Sequence, residues 1–305
     1  MATAIGLDVG GSKILAGLVD RTGQVLHSEE RPMRRDHYLE DLDDGRSARG
    51  ALDASDRLPS FAVDQADDIP GARARGLTVA GVGAGITGLV DHTGGRLVRS
   101  MNLGLEDIPV AAVLREACGA PGWVDNDVHA ATLGELYFGV GQRFSDFVLF
   151  NAGTGIAAGM AFGGRLHRGA SNVSGEICHS SVEQHGPQCM CGLPGCLEDS
   201  ILRLRRGEDI PTVRLPRLAP PPAPVYGYVA LGIIHLVNLL NPKAVVLAGG
   251  MFTRQPEAVE WVTEAVRTTA LPLAVAGLKE ICLPAAGPAA GLVGAAALVW
   301  EGLAA

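Results

Sequence analysis

One local pattern occurs twice in this chain and narrows its possible folds more than any other: an apolar strand, a glycine turn and a second apolar strand. "TAIGLDVGGSKILAGLVD" stands near the start and "DFVLFNAGTGIAAGMAFGG" about 140 residues later. Each copy reads as a hairpin, which must bury its apolar face against further strands or helices. The recurrence predicts two related α/β lobes rather than one continuous sheet, and 305 residues are enough for two cores.

Between and beyond the hairpins the pattern alternates. "LTVAGVGAGITGLVD" and "GWVDND" predict buried strands running into turns; "VAAVLREACG" and "HAATLGELYFGVG" predict helices. Residues 28–68 carry mixed charge with weak helical spacing and are expected as helix and loop. "RLAPPPAPV" is a breaker. After it, "YGYVALGIIHLVNLLNP" predicts a helix stopped by Pro242, "KAVVLAGG" a strand, and "EAVEWVTEAVRTTA" and "AAGLVGAAALVWEGL" two more helices. The expected division is a first lobe over 1–115 completed by the last helix, 289–305, and a second lobe over 116–288.

Composition excludes several classes. A hydrophobic share of 47% with 41 glycines describes an ordered, tightly packed protein, and a net charge of -8 leaves no broad basic face for nucleic acid. The one basic run, "RLRRGEDIPTVRLPR", is broken by acids. The N-terminus shows no secretory signal, and "AAGLVGAAALVW" is too short to cross a bilayer. The expectation is a cytoplasmic protein with reduced thiols and no membrane or nucleic-acid partner.

The glycine turns suggest chemistry. Gly10, Gly11 and Ser12, with Lys13 beside them, and Gly153, Thr154 and Gly155 can bring backbone N–H groups close to phosphate oxygens. Both turns lead into strands, so neither is a Walker loop or a dinucleotide fingerprint. Alone, each reads first as an ordinary hairpin turn; in facing lobes the pair favours a phosphate clamp. Between them "VDNDVHAA" places Asp127 after a strand and before a helix, where it can take a proton from an alcohol. The competing reading is that Asp125 or Asp127 only caps the helix.

The cysteines are concentrated. His179-x9-Cys189-x-Cys191-x4-Cys196 supplies four ligands for a closed, structural Zn2+ site, against the alternative of a redox or unliganded cluster. Cys178 is not counted as a ligand. Cys118 and Cys282 read as core residues.

Together "DVGGSK", "VDNDVHAATLGE", "GTGIAAG" and "GEICH…CMCGLPGCLE" resemble the ROK family of repressors, open reading frames and kinases, across nearly the whole chain and in order. The resemblance implies an actin-like (ribonuclease H-like) ATPase fold of duplicated α/β lobes, closing over ATP, Mg2+ and a hexose. It implies Asp127 as the base that deprotonates the sugar hydroxyl. It implies a sugar cage of Gly88, Asn102, Asn126, Glu176, His179 and Glu198. Phosphates would fall to the two glycine turns, with Asp8 near magnesium and adenosine at Gly249 and Gly250. The zinc loop, 175–198, would hold Glu176, His179 and Glu198 around the sugar, and a homodimer or higher homo-oligomer is expected.

The chain departs from the family pattern in a shortened segment 199–225, in the irregular acidic region, in Thr87 where a proline is usual, and in Cys178 where a glycine is usual. The implied activity is ATP-dependent phosphorylation of a hexose or aminohexose, at the 6-OH of glucose or an aminosugar such as kanosamine. Alternatives are a kinase for a C7-cyclitol or an N-acetylated hexosamine, and a non-catalytic sugar-binding regulator. A repressor's DNA-binding helices would precede the first strand, where this sequence leaves no room for them.

Overall fold

The computed structural model describes residues 2–32, 76–215 and 218–304. The helix and loop expected over 33–68 lie outside the described residues. The chain forms two compact units: residues 1–139, 168–173 and 289–305, and residues 140–167 and 174–288.

In the first unit β1 (Ala2–Val9) and β2 (Lys13–Asp20) form the expected hairpin, in register from Thr3 opposite Asp20 to Val9 opposite Ile14. β3 (Val25–Pro32) continues antiparallel along β2, so residues 28–32, expected as helix and loop, are strand. The backbone groups on the outer edge of β2 find partners there, and the polar, charged run "HSEER" suits a solvated edge strand. β4 (Thr78–Ile86) and β8 (Gly122–Asn126) extend the other side in parallel, giving the order β3-β2-β1-β4-β8. β5 (Leu89–Asp91), β6 (Arg96–Ser100) and β7 (Leu105–Ile108) make a small antiparallel sheet. Helix α1 (Val110–Cys118) ends at Gly119 in the left-handed region, and α2 (Asp127–Phe138) follows β8 directly.

The second unit repeats this plan. β9 (Phe147–Ala152) and β10 (Ile156–Phe162) form the second hairpin; β11 (Arg165–Leu166), β12 (Ala244–Ala248) and β13 (Glu280–Cys282) complete the order β11-β10-β9-β12-β13. In both sheets a three-strand antiparallel meander is continued by two parallel strands on the far side of its first strand. The lobes are therefore a structural duplication. Helices α3 (Leu197–Arg205), α4 (Val225–Leu240), α5 (Gly250–Thr253), α6 (Pro256–Thr269) and α7 (Pro272–Gly277) belong to this unit. Phe150, Leu197, Ile201, Ile233 and Phe252 are fully buried in its core.

The last helix, α8 (Ala290–Ala304), returns to the first unit and packs on β1, β4 and α2. Small residues make this possible: a Cβ at Gly83 would sit 1.8 Å from the Ala295 carbonyl oxygen, and one at Gly6 2.4 Å from that of Leu292. The division between units falls after Gly139, not at 115, because β8 pairs with β4 and α2 packs on α8. The segment Gly287–Ala304 is long and apolar enough by length and composition to span a bilayer, contrary to the expectation from sequence, but half of it is buried in the protein.

Candidate functional site

The registers decide which residues share an edge. Val9 lies opposite Ile86, and Ile86 opposite Asn126, so Asp8, Thr87, Asn126 and Asp127 gather at the carboxyl ends of three parallel strands. This is where open α/β sheets place their ligands. In the second unit Ala248 lies opposite Asn151, which brings the turns after β9 and β12, at Gly153 and Gly249, side by side.

Asn126 is the cap of α2: its Oδ1 accepts from the N–H groups of Val128 at 2.9 Å and His129 at 3.2 Å. The capping role proposed for Asp125 or Asp127 thus falls chiefly to the residue between them, although Asp127 Oδ1 also accepts from Val128 N–H at 3.0 Å. The Asn126 amide donates to the Gly88 carbonyl at 3.1 Å. Gly88, with φ 131°, could carry no Cβ, which would fall 2.5 Å from the Arg99 carbonyl oxygen. Asn102 is exposed and donates to Thr87 Oγ1 at 3.3 Å, while the Thr87 N–H donates to the Val9 carbonyl at 3.1 Å. A proline at 87 could not make that backbone bond.

Beneath Asn126 lies a charged network that sequence reasoning missed. Asp125 is fully buried and accepts from Arg168 Nε at 2.6 Å; His129 Nδ1 stands 3.3 Å away. Arg168 also holds Glu301 of α8 at 2.5 Å. Burial acts to raise the Asp125 pKa, but the hydrogen bond from His129 and the charges of Arg168, His129 and His92 outweigh it and hold the group below its ordinary range. The members are far apart in sequence, and only "VDND" gave a local signal.

Asp8 closes β1. Its pKa is raised to about 7, first by burial and then by the charge of Asp127, with Lys13 opposing. Gly291 abuts the carboxylate: a Cβ there would lie 2.2 Å from Asp8 Oδ2. Gly10 N–H donates to the Lys13 carbonyl at 3.0 Å and closes the turn over Gly11 and Ser12. Lys13 itself is exposed and paired with Glu30 of β3 at 2.5 Å.

In the second unit Gly153 N–H donates to the Gly155 carbonyl at 3.0 Å, leaving Thr154 at the exposed tip. Gly249, φ 97°, leads into α5 and Gly250; a Cβ on it would lie 2.4 Å from the Ala152 carbonyl oxygen. Glu198, in the first turn of α3, accepts from Ile156 N–H at 2.8 Å, so one carboxylate oxygen already serves the glycine turn. Its pKa is raised, first by burial. Glu176 is exposed and its Oε2 accepts from the Cys178 thiol at 3.2 Å; Cys178 is buried.

The ligand atoms of His179, Cys189, Cys191 and Cys196 all lie within 4.8 Å of one another. Cys191 and Cys196 sulfurs are 3.5 Å apart, and Cys189 Sγ is 3.5 Å from His179 Nδ1. A tetrahedron with bonds of about 2.3 Å has edges of roughly 3.7 Å, so this donor set fits zinc. The loop is shaped by tight turns: Cys189 N–H donates to the Leu193 carbonyl at 2.9 Å and Gly192 N–H to that of Cys189 at 2.9 Å. Cys118 is buried and Cys282 partly buried, both outside this cluster.

The ROK family profile matches residues 62–202 and 224–301 and breaks at the shortened segment. Over 327 residues the chain is 26% identical to a glucokinase of Halalkalibacterium halodurans, covering 97% of this chain and 94% of that one. It is also similar to a xylose repressor of Caldicellulosiruptor bescii, 27% identical over 199 residues, which cover 65% of this chain and 46% of the repressor. Among solved structures, the ROK hexokinase of Thermus thermophilus superposes with a TM-score of 0.72 at 28% identity, covering 99% of each chain.

Proposed function

This chain belongs to the ROK family, and on that premise we propose that it is an ATP-dependent sugar kinase, transferring the terminal phosphoryl group of ATP to a hexose or aminohexose. The 6-OH is the favoured acceptor, with glucose or an aminosugar such as kanosamine as substrate. The observation that carries this reading is the placement of Asp127: partly exposed, at the carboxyl edge of the sheet, beside an asparagine fixed by its own cap and by the Gly88 carbonyl.

In this reading Asp127 accepts the proton of the attacking hydroxyl. Phosphoryl transfer asks mainly for positioning and a modest base, and a carboxylate suffices. Gly88, Asn102, Asn126, Glu176, His179 and Glu198 bind the sugar hydroxyls; the turns at Gly10–Ser12 and Gly153–Gly155 hold phosphate, and Gly249 and Gly250 seat adenosine. Asp8 is the residue for Mg2+, which when bound would neutralise phosphate charge. Zn2+ on His179, Cys189, Cys191 and Cys196 is structural: four protein ligands leave no open position. Because His179 Nδ1 faces the thiols, Nε2 is the nitrogen left for the sugar. Such thiol ligation goes with a cytoplasmic location, and the family with a homo-oligomer.

The test is ADP release across a panel of glucose, 3-amino-3-deoxyglucose, N-acetylated hexosamines and carbocyclic polyols. Asp127→Asn should lower kcat by roughly 10²- to 10⁴-fold, the usual worth of a general base. If no sugar of the panel stimulates ADP release, or if the Asn variant keeps full activity, the mechanism is overturned. The similarity to a xylose repressor favours a second reading, a sugar-binding regulator without catalysis; sugar binding by calorimetry with no ADP released would select it.

A further inference from the structure

The basic run that the sequence offered without a role ends α3. Arg205 Nη1 donates to the Gly153 carbonyl at 2.8 Å, in the second glycine turn. From the first turn of the same helix Glu198 takes the Ile156 N–H at 2.8 Å, so α3 grips this turn from both sides. The neighbouring arginines are neutralised: Arg203 Nε and Arg206 Nε each donate to Glu208 at 2.9 Å, and Arg203 also reaches Glu183 at 3.4 Å. Arg205 has no carboxylate partner among the described residues and is exposed. At the first glycine turn the cation that the described residues place nearby, Lys13, is paired with Glu30.

We propose that Arg205 is a phosphate-binding residue for the nucleotide at the Gly153–Gly155 turn. A guanidinium carries five N–H donors in a planar fork that matches phosphate oxygens, and the Gly153 carbonyl uses only one. The carbonyl bond places the fork beside Gly153, where a Cβ would meet nothing nearer than Asn151 Nδ2 at 3.7 Å; the Glu198 carboxylate stands on the Gly155 side, and the guanidinium charge is the one that can offset it. That the anion is a nucleotide rests on the sugar-kinase reading; that the turn carries a cation does not.

The experiment is calorimetric titration of the full chain with ATP, ADP and adenosine at low and high salt, comparing wild type, Arg205→Gln and Arg205→Lys. Arg205→Gln should weaken ATP roughly tenfold to a hundredfold at low salt, as loss of a charge-assisted contact does, and leave adenosine within about twofold. Added salt should narrow the gap, and Arg205→Lys should recover part of the affinity. Unchanged ATP affinity in Arg205→Gln overturns the proposal, as does an equal loss for adenosine, which would mean that Arg205 only supports the turn. The two readings fail separately. If the nucleotide pattern holds but no sugar drives ADP release, the kinase reading falls and the phosphate contact stands; if sugars turn over and Arg205→Gln keeps its affinity for ATP, the reverse is true.

Discussion

Asp8 and Cys178 show how far a single side chain can tune such a site. Asp8 has a folded-state pKa near 7 against an ordinary 3.8. The native protein therefore holds a proton there that the unfolded chain gives up, so the contribution of Asp8 to stability is complete below pH 4 and is lost as pH rises through 7. Melting temperatures of metal-free protein should fall over that window, and Asp8→Asn should flatten the fall; an unaltered profile in the variant would count against it. Cys178 answers differently. Burial, then the charges of Glu176 and Glu198, push its thiol far up, so it remains an S–H donor to Glu176 at any working pH. Cys178→Ala should raise the sugar KM about tenfold with kcat nearly kept, since a hydrogen bond to a charged group is worth about 1.5–3 kcal/mol and a thiol is a weak donor, and Cys178→Ser should restore it. Steady-state kinetics separate this from a packing defect, which serine would not repair.

At the level of elements, the cysteine-rich loop 175–198, the candidate zinc site, runs directly into α3. Cys196 is both a candidate ligand and the residue before α3, and that helix carries Glu198 and Arg205 to the glycine turn. Stripping zinc with a chelator should therefore loosen more than the loop: amide exchange should rise at Ile156 as well as at Cys189 and Gly192, and ATP affinity should fall with it. Exchange confined to residues 180–196 would argue that α3 stands without the metal. The hairpins, α2 and the Cys–His ligand set were legible in the sequence because each depends on neighbours within a few residues. Even α3 left signals, with Glu198 and Asp199 in its first turn, arginines in its last and Gly207 beyond, an arrangement that complements the helix dipole. They were obscured because "RLRRGED" reads first as a charge run. What the sequence could not show was pairing across long separations: Lys13 with Glu30 across two strands, or Arg168 with Asp125 and Glu301. Charge patterns name candidates for such pairs but not their partners, which only the register of the sheet selects.

On the scale of the whole molecule, the first unit is assembled from three separate stretches, and Arg168 and Glu301 tie the second and third of these to Asp125 of the first. Removing Arg168 takes the cation from a buried carboxylate that keeps His129 and the Asn126 N–H, so the loss should fall below the roughly 3–5 kcal/mol of a fully unpaired buried charge. Arg168→Met should accordingly lower the unfolding midpoint of the first unit in urea, and a combined Asp125→Asn change should return much of the loss; additive effects would mean that the two residues do not act as a pair.

The return of α8 to β1 and β4 also sets an order of synthesis. The strands it covers leave the ribosome first and the helix last, after the whole second unit, whose sheet and helices come from later and nearly continuous chain. A growing chain at the usual rate of roughly 5–20 residues per second therefore carries its opening hairpin with one apolar face uncovered for many seconds. The second lobe can finish while the first still waits, so the half of the molecule that is translated first is the half that matures last.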